Sequence, residues 1–409
     1  MGLATVSTPQ KRKASLSQAS ASKRTRSVSI SVKVSHEATS DDGPSSPDLY
    51  LVPKNRQACL GGLPEELVLK IMENVEDIGG DKALSMLCLT DKRCKRIAEV
   101  VLYKTICANG NHQQYAKATA LASKPLLTRH VREISVFFGA KTIKHDMVRA
   151  TVVKILANAH DIQEICLAEV RDRTTNRDEL AHTLGWLQVF NSAVARPVRG
   201  DVNQFSKLKD LFIIFRDLSA EDISCVFRLP SLQGLTLECI SQTAPFENWS
   251  IPESSSSIRK LSLDNAMMDI SAVAQMLSTL KVLHHFQYHR STERWEPFGK
   301  EGNPLSVWPE HSWKLLGDAL RRHRHSLEVV HATDDSDKDI LDLVYPDGRE
   351  IDILGSFRDF PKLKCCHVPV EAFLDPRSGE SDLSLYLPPQ MGKAGTKVAL
   401  KYQDCGCGF

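Results

Sequence analysis

The sequence predicts an α/β chain in which a short N-terminal module of three helices precedes an irregular strand and helix repeat, stacked into a curved parallel sheet. Three observations carry this expectation. An amphipathic helical segment opens at Pro64-Glu65-Glu66. The spacing apolar-x-x-apolar-x-apolar then recurs eight times between residues 131 and 368. Helical stripes lie between most of those recurrences.

The segment before the module reads as a tail. Residues 1–58 are rich in Ser, and residues 1–33 hold seven Lys/Arg and no acid, although the whole chain of 409 residues is nearly neutral at +2. That leaves 45 Lys/Arg against 50 Asp/Glu, a balance of −5, for the remainder. A stretch with so few apolar side chains cannot offset the entropy of ordering, so the expectation is disorder. Lys11-Arg12, then ten residues, then Lys23-Arg24-Thr25-Arg26 resembles a bipartite nuclear import signal. A solvated basic tail is the other reading. Ser15 and Ser27 each follow an Arg by three residues, which suits a basophilic kinase whose phosphates weaken import. The expected location is the nucleus, with the cytoplasm as the alternative.

In residues 59–108, Pro64 suits a first helical turn, and Glu65 and Glu66 complement the positive end of the helix dipole. Leu67, Ile71 and Val75 form one stripe and Val68 and Met72 a second, an apolar arc wider than a small domain needs for its own interior. Gly79-Gly80 ends this helix. A second short helix is expected around Leu84, Leu87, Cys88 and Leu89, and a third over Lys92 to Leu102 with Ile97, Val101 and Leu102 inward. Three short helices make a marginal core, so the module should lean on another surface.

Leu63-Pro64-Glu65-Glu66-Leu67, the apolar ladder behind it, Leu84-Ser85-Met86-Leu87-Cys88-Leu89 and the basic third helix running to Ile106 resemble the F-box family over about 47 residues. Cys94 and Glu99-Val100 depart from that pattern. The resemblance implies docking onto a Skp-type adaptor of a cullin-RING ubiquitin ligase, through Leu63, Pro64, Leu67, Ile71 and Leu87. A self-contained helical bundle is the alternative.

From residue 125 to 409 the apolar triplets are Val131/Ile134/Val136, Ile162/Ile165/Leu167, Leu208/Leu211/Ile213, Leu232/Leu235/Leu237, Ile258/Leu261/Leu263, Leu283/Phe286/Tyr288, Leu327/Val330/Ala332 and Leu363/Cys366/Val368. Their second and third members are two apart on a strand and point into one interior. Helical stripes are expected at Val148/Val152/Ile155/Leu156, Leu180/Leu184/Leu187, Ile223/Val226/Phe227, Val273/Met276/Leu277 and Trp313/Leu316/Leu320. Stacked units bury their apolar edges only against neighbours. The pattern, with Ser219-Ala220-Glu221-Asp222-Ile223 and Phe360-Pro361-Lys362-Leu363, resembles the leucine-rich repeat family, and the order of module and repeats resembles fungal F-box proteins. Polar runs at 191–203, 290–303 and 333–339 are expected as surface loops.

The sequence lacks a Gly-x-Ser-x-Gly elbow, a phosphate-cradling Gly-rich loop with Lys and a His-Glu-x-x-His helix. Asp335-x-Asp337-x-Asp339 starts like a calcium loop but has Ile340 where the turn needs Gly. Cys365-Cys366 and Cys405-Gly406-Cys407 lack zinc-ligand spacing, and eleven cysteines in such a chain read as free thiols. The chain holds no stretch of eighteen apolar residues and no apolar signal core, and Val6 spoils a myristoylation signal at Met1-Gly2. The expectation is an intracellular, non-catalytic protein without cofactor or metal, binding neither nucleic acid nor membrane.

Aligning the triplets places Glu133, Glu164, Asp210, Gly234, Lys260, His285, Val329 and Cys365 in one row on the outward face. Ser135, Cys166, Phe212, Thr236, Ser262, Gln287, His331 and His367 form the next. The candidate substrate-binding residues are Glu133, Glu164, Asp210, Phe212, His285, His331 and His367: acids that favour a basic segment, an aromatic anchor, and histidines that make the far end pH-sensitive. The whole reads as a substrate-recognition subunit of a Skp-cullin-F-box ligase, with a ligase-independent repeat scaffold in the nucleus as the competing class.

Overall fold

The computed structural model describes residues 60–108, 112–138, 145–169, 180–195, 204–215, 219–291, 312–335, 352–374, 382–392 and 397–398. The basic tail, the acidic triplet at 335–339 beyond its first residue, and the thiols near 405 lie outside them.

Helix α1 (Glu65–Leu87) starts behind Pro64 with Glu65 and Glu66 in its first turn. It is interrupted at Gly80, whose φ of 60° and ψ of −166° are open only to glycine. Two helical stretches meet at this break, the first ending at the Gly79-Gly80 pair as expected and the second running to Leu87. Helix α2 (Lys92–Leu102) begins at Asp91, whose carboxylate accepts from the backbone N–H of Arg93 at 2.7 Å and of Cys94 at 2.8 Å. Val68, Met72, Leu84, Cys94, Ile97, Ala98, Val101 and Leu102 close a small core between the two.

Strand β1 (Thr105–Ala108) follows directly, so the sheet begins some twenty residues before the expected start of the repeats, in a segment assigned by resemblance to the end of the helical module. Helices α3 (His112–Ala122) and α4 (Pro125–Thr128) lead to β2 (Glu133–Phe138), then α5 (His145–Asn158), β3 (Glu164–Glu169), α6 (Leu180–Ala195) and β4 (Asp210–Phe215). Next come β5 (Gly234–Glu238), β6 (Ser241–Gln242), β7 (Lys260–Met268), α7 (Ile270–Ser278), β8 (His285–Ser291), α8 (Trp313–Arg321), β9 (Val329–Asp335), β10 (Cys365–His367) and β11 (Lys397–Val398).

Ten of these strands form one all-parallel sheet in chain order, each beside the next, with β6 pairing only the far end of β7. The apolar triplets supply the inner row: Ile134, Ile165, Leu211, Leu235, Leu261, Phe286, Val330 and Cys366 are register partners in sequence and are all buried. Helical residues Val152, Ile155, Leu156, Leu187, Val273, Met276, Leu277, Leu316 and Leu320 bury against that row.

One connection departs from its expected helix, and another, for which none was expected, packs without one. The stripe at Ile223/Val226/Phe227 forms a 3-10 turn over Ser224–Arg228, because only eighteen residues separate β4 from β5 and Leu229-Pro230 closes the turn. Before it, Ser219 and Asp222 bond reciprocally, the Ser219 N–H to the carboxylate at 3.0 Å and the Asp222 N–H to the hydroxyl at 3.2 Å. Between β9 and β10, the described residues 352–363 form no helix. Their core contribution comes from Leu354, Phe357, Phe360 and Leu363, with Phe357 edge-on to Phe360 at 4.7 Å between ring centroids.

One backbone device repeats at every step from β1 to β10. The residue just before each strand offers its carbonyl to two consecutive N–H groups of the following unit. Lys104 accepts from Arg132 and Glu133 at 2.8 and 3.1 Å, Arg132 from Gln163 and Glu164, and Gln163 from Lys209 and Asp210. The series runs on through Lys209, Gln233, Arg259 and His284 to Glu328, which accepts from Lys364 and Cys365. Each of these carbonyls fills both lone pairs and satisfies two N–H groups of the next unit.

Candidate functional site: the open sheet face

The sheet has one face in the core and one that no helix covers among the described residues. On the open side stand the two outward rows read from the sequence, in the expected register: Glu133 beside Glu164, Glu164 beside Asp210, Cys166 beside Phe212, Gln287 beside His331, and His331 beside His367. Period-two alternation makes this inevitable once the buried row is fixed.

The acidic end begins at Thr105, whose hydroxyl donates to Glu133 Oε2 at 2.9 Å. Glu164 and Asp210 are exposed and Phe212 is half-buried. Gly234 explains the room around Asp210, since a Cβ there would lie 2.2 Å from Asp210 Oδ1. Cys107 and Cys166 share this region; burial pushes both thiols up, opposed at Cys107 by Lys117 and joined at Cys166 by Glu164. Neither is a thiolate at neutral pH, so neither is an activated nucleophile.

The opposite end is imidazole-rich. His331 and His367 contact each other through Nε2 and Nδ1, and His285 and His289 stand on the neighbouring strand in the same two-residue alternation. Burial, the neighbouring His367 and then His285 hold His331 below the ordinary histidine range, against an opposing pull from Asp264. Burial and Lys260 do the same to His285, opposed by its hydrogen bond with Gln287 and by Asp264. Asp264 organises this end: it accepts from Gln287 Nε2 at 2.7 Å and from Ser262 Oγ at 2.8 Å. A bulge follows it, where Asn265 takes a φ of 49° and donates to Glu238 Oε1 at 3.2 Å. Among the described residues no group of three or more His, Cys, Asp or Glu could hold a metal ion.

Sequence reasoning did not single out Asp264 or His289. The signal was there, since both occupy the third outward row, two residues beyond Ser262 and Gln287. The arrangement offers carboxylates, imidazoles and two phenyl rings, half-buried Phe212 and exposed Phe137, on a wide surface, the chemistry of recognition by charge and stacking.

The helical module presents a second surface. Val68, Met72 and Leu84 are buried in its own core, but Leu67 is 48% exposed, Pro64 is exposed, and Leu63, Ile71 and Leu87 are half-buried. Ile78, Met86 and Leu89 on the same module are also exposed, at 90%, 62% and 80%, three residues that the sequence reading did not assign to the adaptor contact. The module's core is separate from that of the sheet; half-buried Tyr103 packs against both, and Lys117 on α3 reaches Asp81 on α1 at 3.0 Å. Lys11, Arg12, Lys23, Arg24 and Arg26, the residues expected to form an import signal, lie outside the described residues.

No protein-family model matches the chain, and no curated protein matches its sequence. No helix among the described residues is long and apolar enough to cross a membrane.

Proposed function

We propose that the chain is the substrate-recognition subunit of a Skp-cullin-F-box ubiquitin ligase, with residues 59–108 as the F-box and the parallel array as an irregular leucine-rich repeat. The observation that supports it is the contrast between two adjacent residues of α1. Val68 is 1% exposed and satisfies the module's own core, whereas Leu67 is 48% exposed and has no role there. An apolar stripe left over by a module this small suits a partner's groove.

On this reading the adaptor packs on Leu63, Pro64, Leu67, Ile71 and Leu87, and the open sheet face holds a target protein across Glu133, Glu164, Asp210, Phe212, His285, His331 and His367. The chain performs no chemistry itself. It raises the effective concentration of the target's lysines beside a conjugating enzyme, which carries the reactive thiol. The basic tail directs the assembly to the nucleus.

The test is co-purification of the full chain with a Skp-type adaptor, comparing wild type with Leu67→Asp. Capture by the wild type and loss in the variant support the assignment. Partners that bind the sheet without any adaptor, equally in both forms, would instead favour a ligase-independent scaffold.

A further inference from the structure

A cleft of 480 Å³ opens at the edge of the sheet where β3, β4, β5 and β7 begin, beside the first outward row, whose residues do not line it. Three consecutive units supply it at two equivalent positions, and Gln163 adds the position just before β3. Lys209, Gln233 and Arg259 occupy the position just before each strand, and Lys207, Ser231 and Ser257 lie two residues earlier. Ser206 adds a further hydroxyl. None of the nine residues lining the cleft is acidic.

The cations are not equivalent. Lys207 is engaged with Asp161 at 2.5 Å, a carboxylate that also receives Arg132 at 2.7 Å. Lys209 and Arg259 carry no ion pair or side-chain hydrogen bond among the described residues, and both are exposed. Neighbouring strands are about 4.8 Å apart, so these two lie roughly 10 Å apart across Gln233, and their long side chains can converge on one point. The backbone N–H groups here already donate to the preceding unit's carbonyls, which leaves binding to the side chains.

We propose that this cleft binds a phosphate-type oxyanion, held by Lys209 and Arg259 and flanked by the hydroxyls of Ser206 and Ser257; the Ser231 hydroxyl already donates to the Phe205 carbonyl at 2.8 Å and serves only to shape the wall. Two uncompensated positive charges match a dianion. A guanidinium takes two phosphate oxygens at once, and the lysine and hydroxyls supply donors for the remaining oxygens, more than a carboxylate can accept. The volume leaves space for the group that carries the phosphate. Its lining shares no residue with the adaptor and target surfaces proposed above, although Gln163 and Lys209 adjoin Glu164 and Asp210 in the chain.

The test is titration of the full chain at constant ionic strength with two probes, inorganic phosphate and O-phosphoserine, followed by ³¹P NMR and calorimetry. Saturable binding to at least one probe is expected, displaced by sulfate. Lys209→Gln and Arg259→Gln should each weaken it about tenfold or more, as loss of one charge-assisted hydrogen bond requires. Arg259→Lys should recover part of the loss, and Lys281→Gln, an exposed cation elsewhere, should change nothing. Tighter binding of O-phosphoserine assigns the cleft to a phosphorylated side chain, and equal binding assigns it to the free anion; both support the site. Non-saturable binding of both probes, or binding unchanged in the Lys209→Gln/Arg259→Gln double variant, overturns it.

Discussion

His331 and His367 stand on adjacent strands with ring centroids 4.2 Å apart, planes inclined by 48°. Protonating one raises the cost of protonating the other. His331 is therefore expected to titrate below its ordinary value of 6.5, first because of burial and then because of His367. Replacing His367 by Gln should move the His331 titration upward, and imidazole chemical shifts followed against pH would show it. An unchanged His331 titration would separate the two rings electrostatically.

A second consequence of acid concerns stability. Burial lowers the pKa of His323, whose Nε2 meets the Leu277 carbonyl at 3.0 Å, and the direction is the same for His130, His285 and His331. Just below 6.5 the unfolded chain holds more protons than the folded one. Stability is accordingly complete above that value and falls as the pH drops toward the folded-state pKa values. Denaturant midpoints measured from about pH 7.5 to pH 5 should decline, and His323→Gln should show a shallower slope over that range.

In the helical module, neighbouring substitutions should part company. Leu67→Asp places a charge on a half-exposed site and should shift stability by no more than about 0.5 kcal/mol. Val68→Asp puts an unpaired charge into the small core and should cost about 3–5 kcal/mol. Thermal unfolding of both variants checks this, and a large loss for Leu67→Asp would contradict its exposure.

Helix α8 approaches the segment after β9 closely at one point. A Cβ on Gly317 would lie 1.9 Å from the Leu354 carbonyl oxygen, so Gly317→Ala must push the two apart. A loss of about 1–3 kcal/mol is expected, read as a lower denaturant midpoint with an unchanged slope.

At the start of α7, Asp269 is 5% exposed and accepts from the Ser271 N–H at 2.9 Å. Asp269→Ala should cost about 0.5–2 kcal/mol, and Asp269→Asn less. Equal stability of the Ala variant would remove the cap from the account of this helix.

The outward rows were legible in the sequence because a buried residue every second position fixes its neighbours: with Ile165 and Leu167 inside, Glu164 and Cys166 have nowhere else to point. Strand β1 was not. Tyr103/Ile106/Ala108 has the same spacing as the other triplets, but an aromatic ring and a methyl group stand where the others mostly have branched aliphatics, and the preceding helical pattern ran into it. The helix break was legible as the Gly79-Gly80 pair, whereas the left-handed angle at Gly80 that makes it was not. Lys209 and Arg259 were missed for a different reason. Their position lies outside the apolar triplet, and only the parallel register shows that residues fifty apart share one edge.

The carbonyl that serves two donors at each junction also makes the units interchangeable. Every rung offers the same acceptor upward and the same pair of donors downward, whatever its side chains. Excising or duplicating one whole rung would rejoin matching ends, so the length of the array is an adjustable quantity, set by how broad a surface the protein must present.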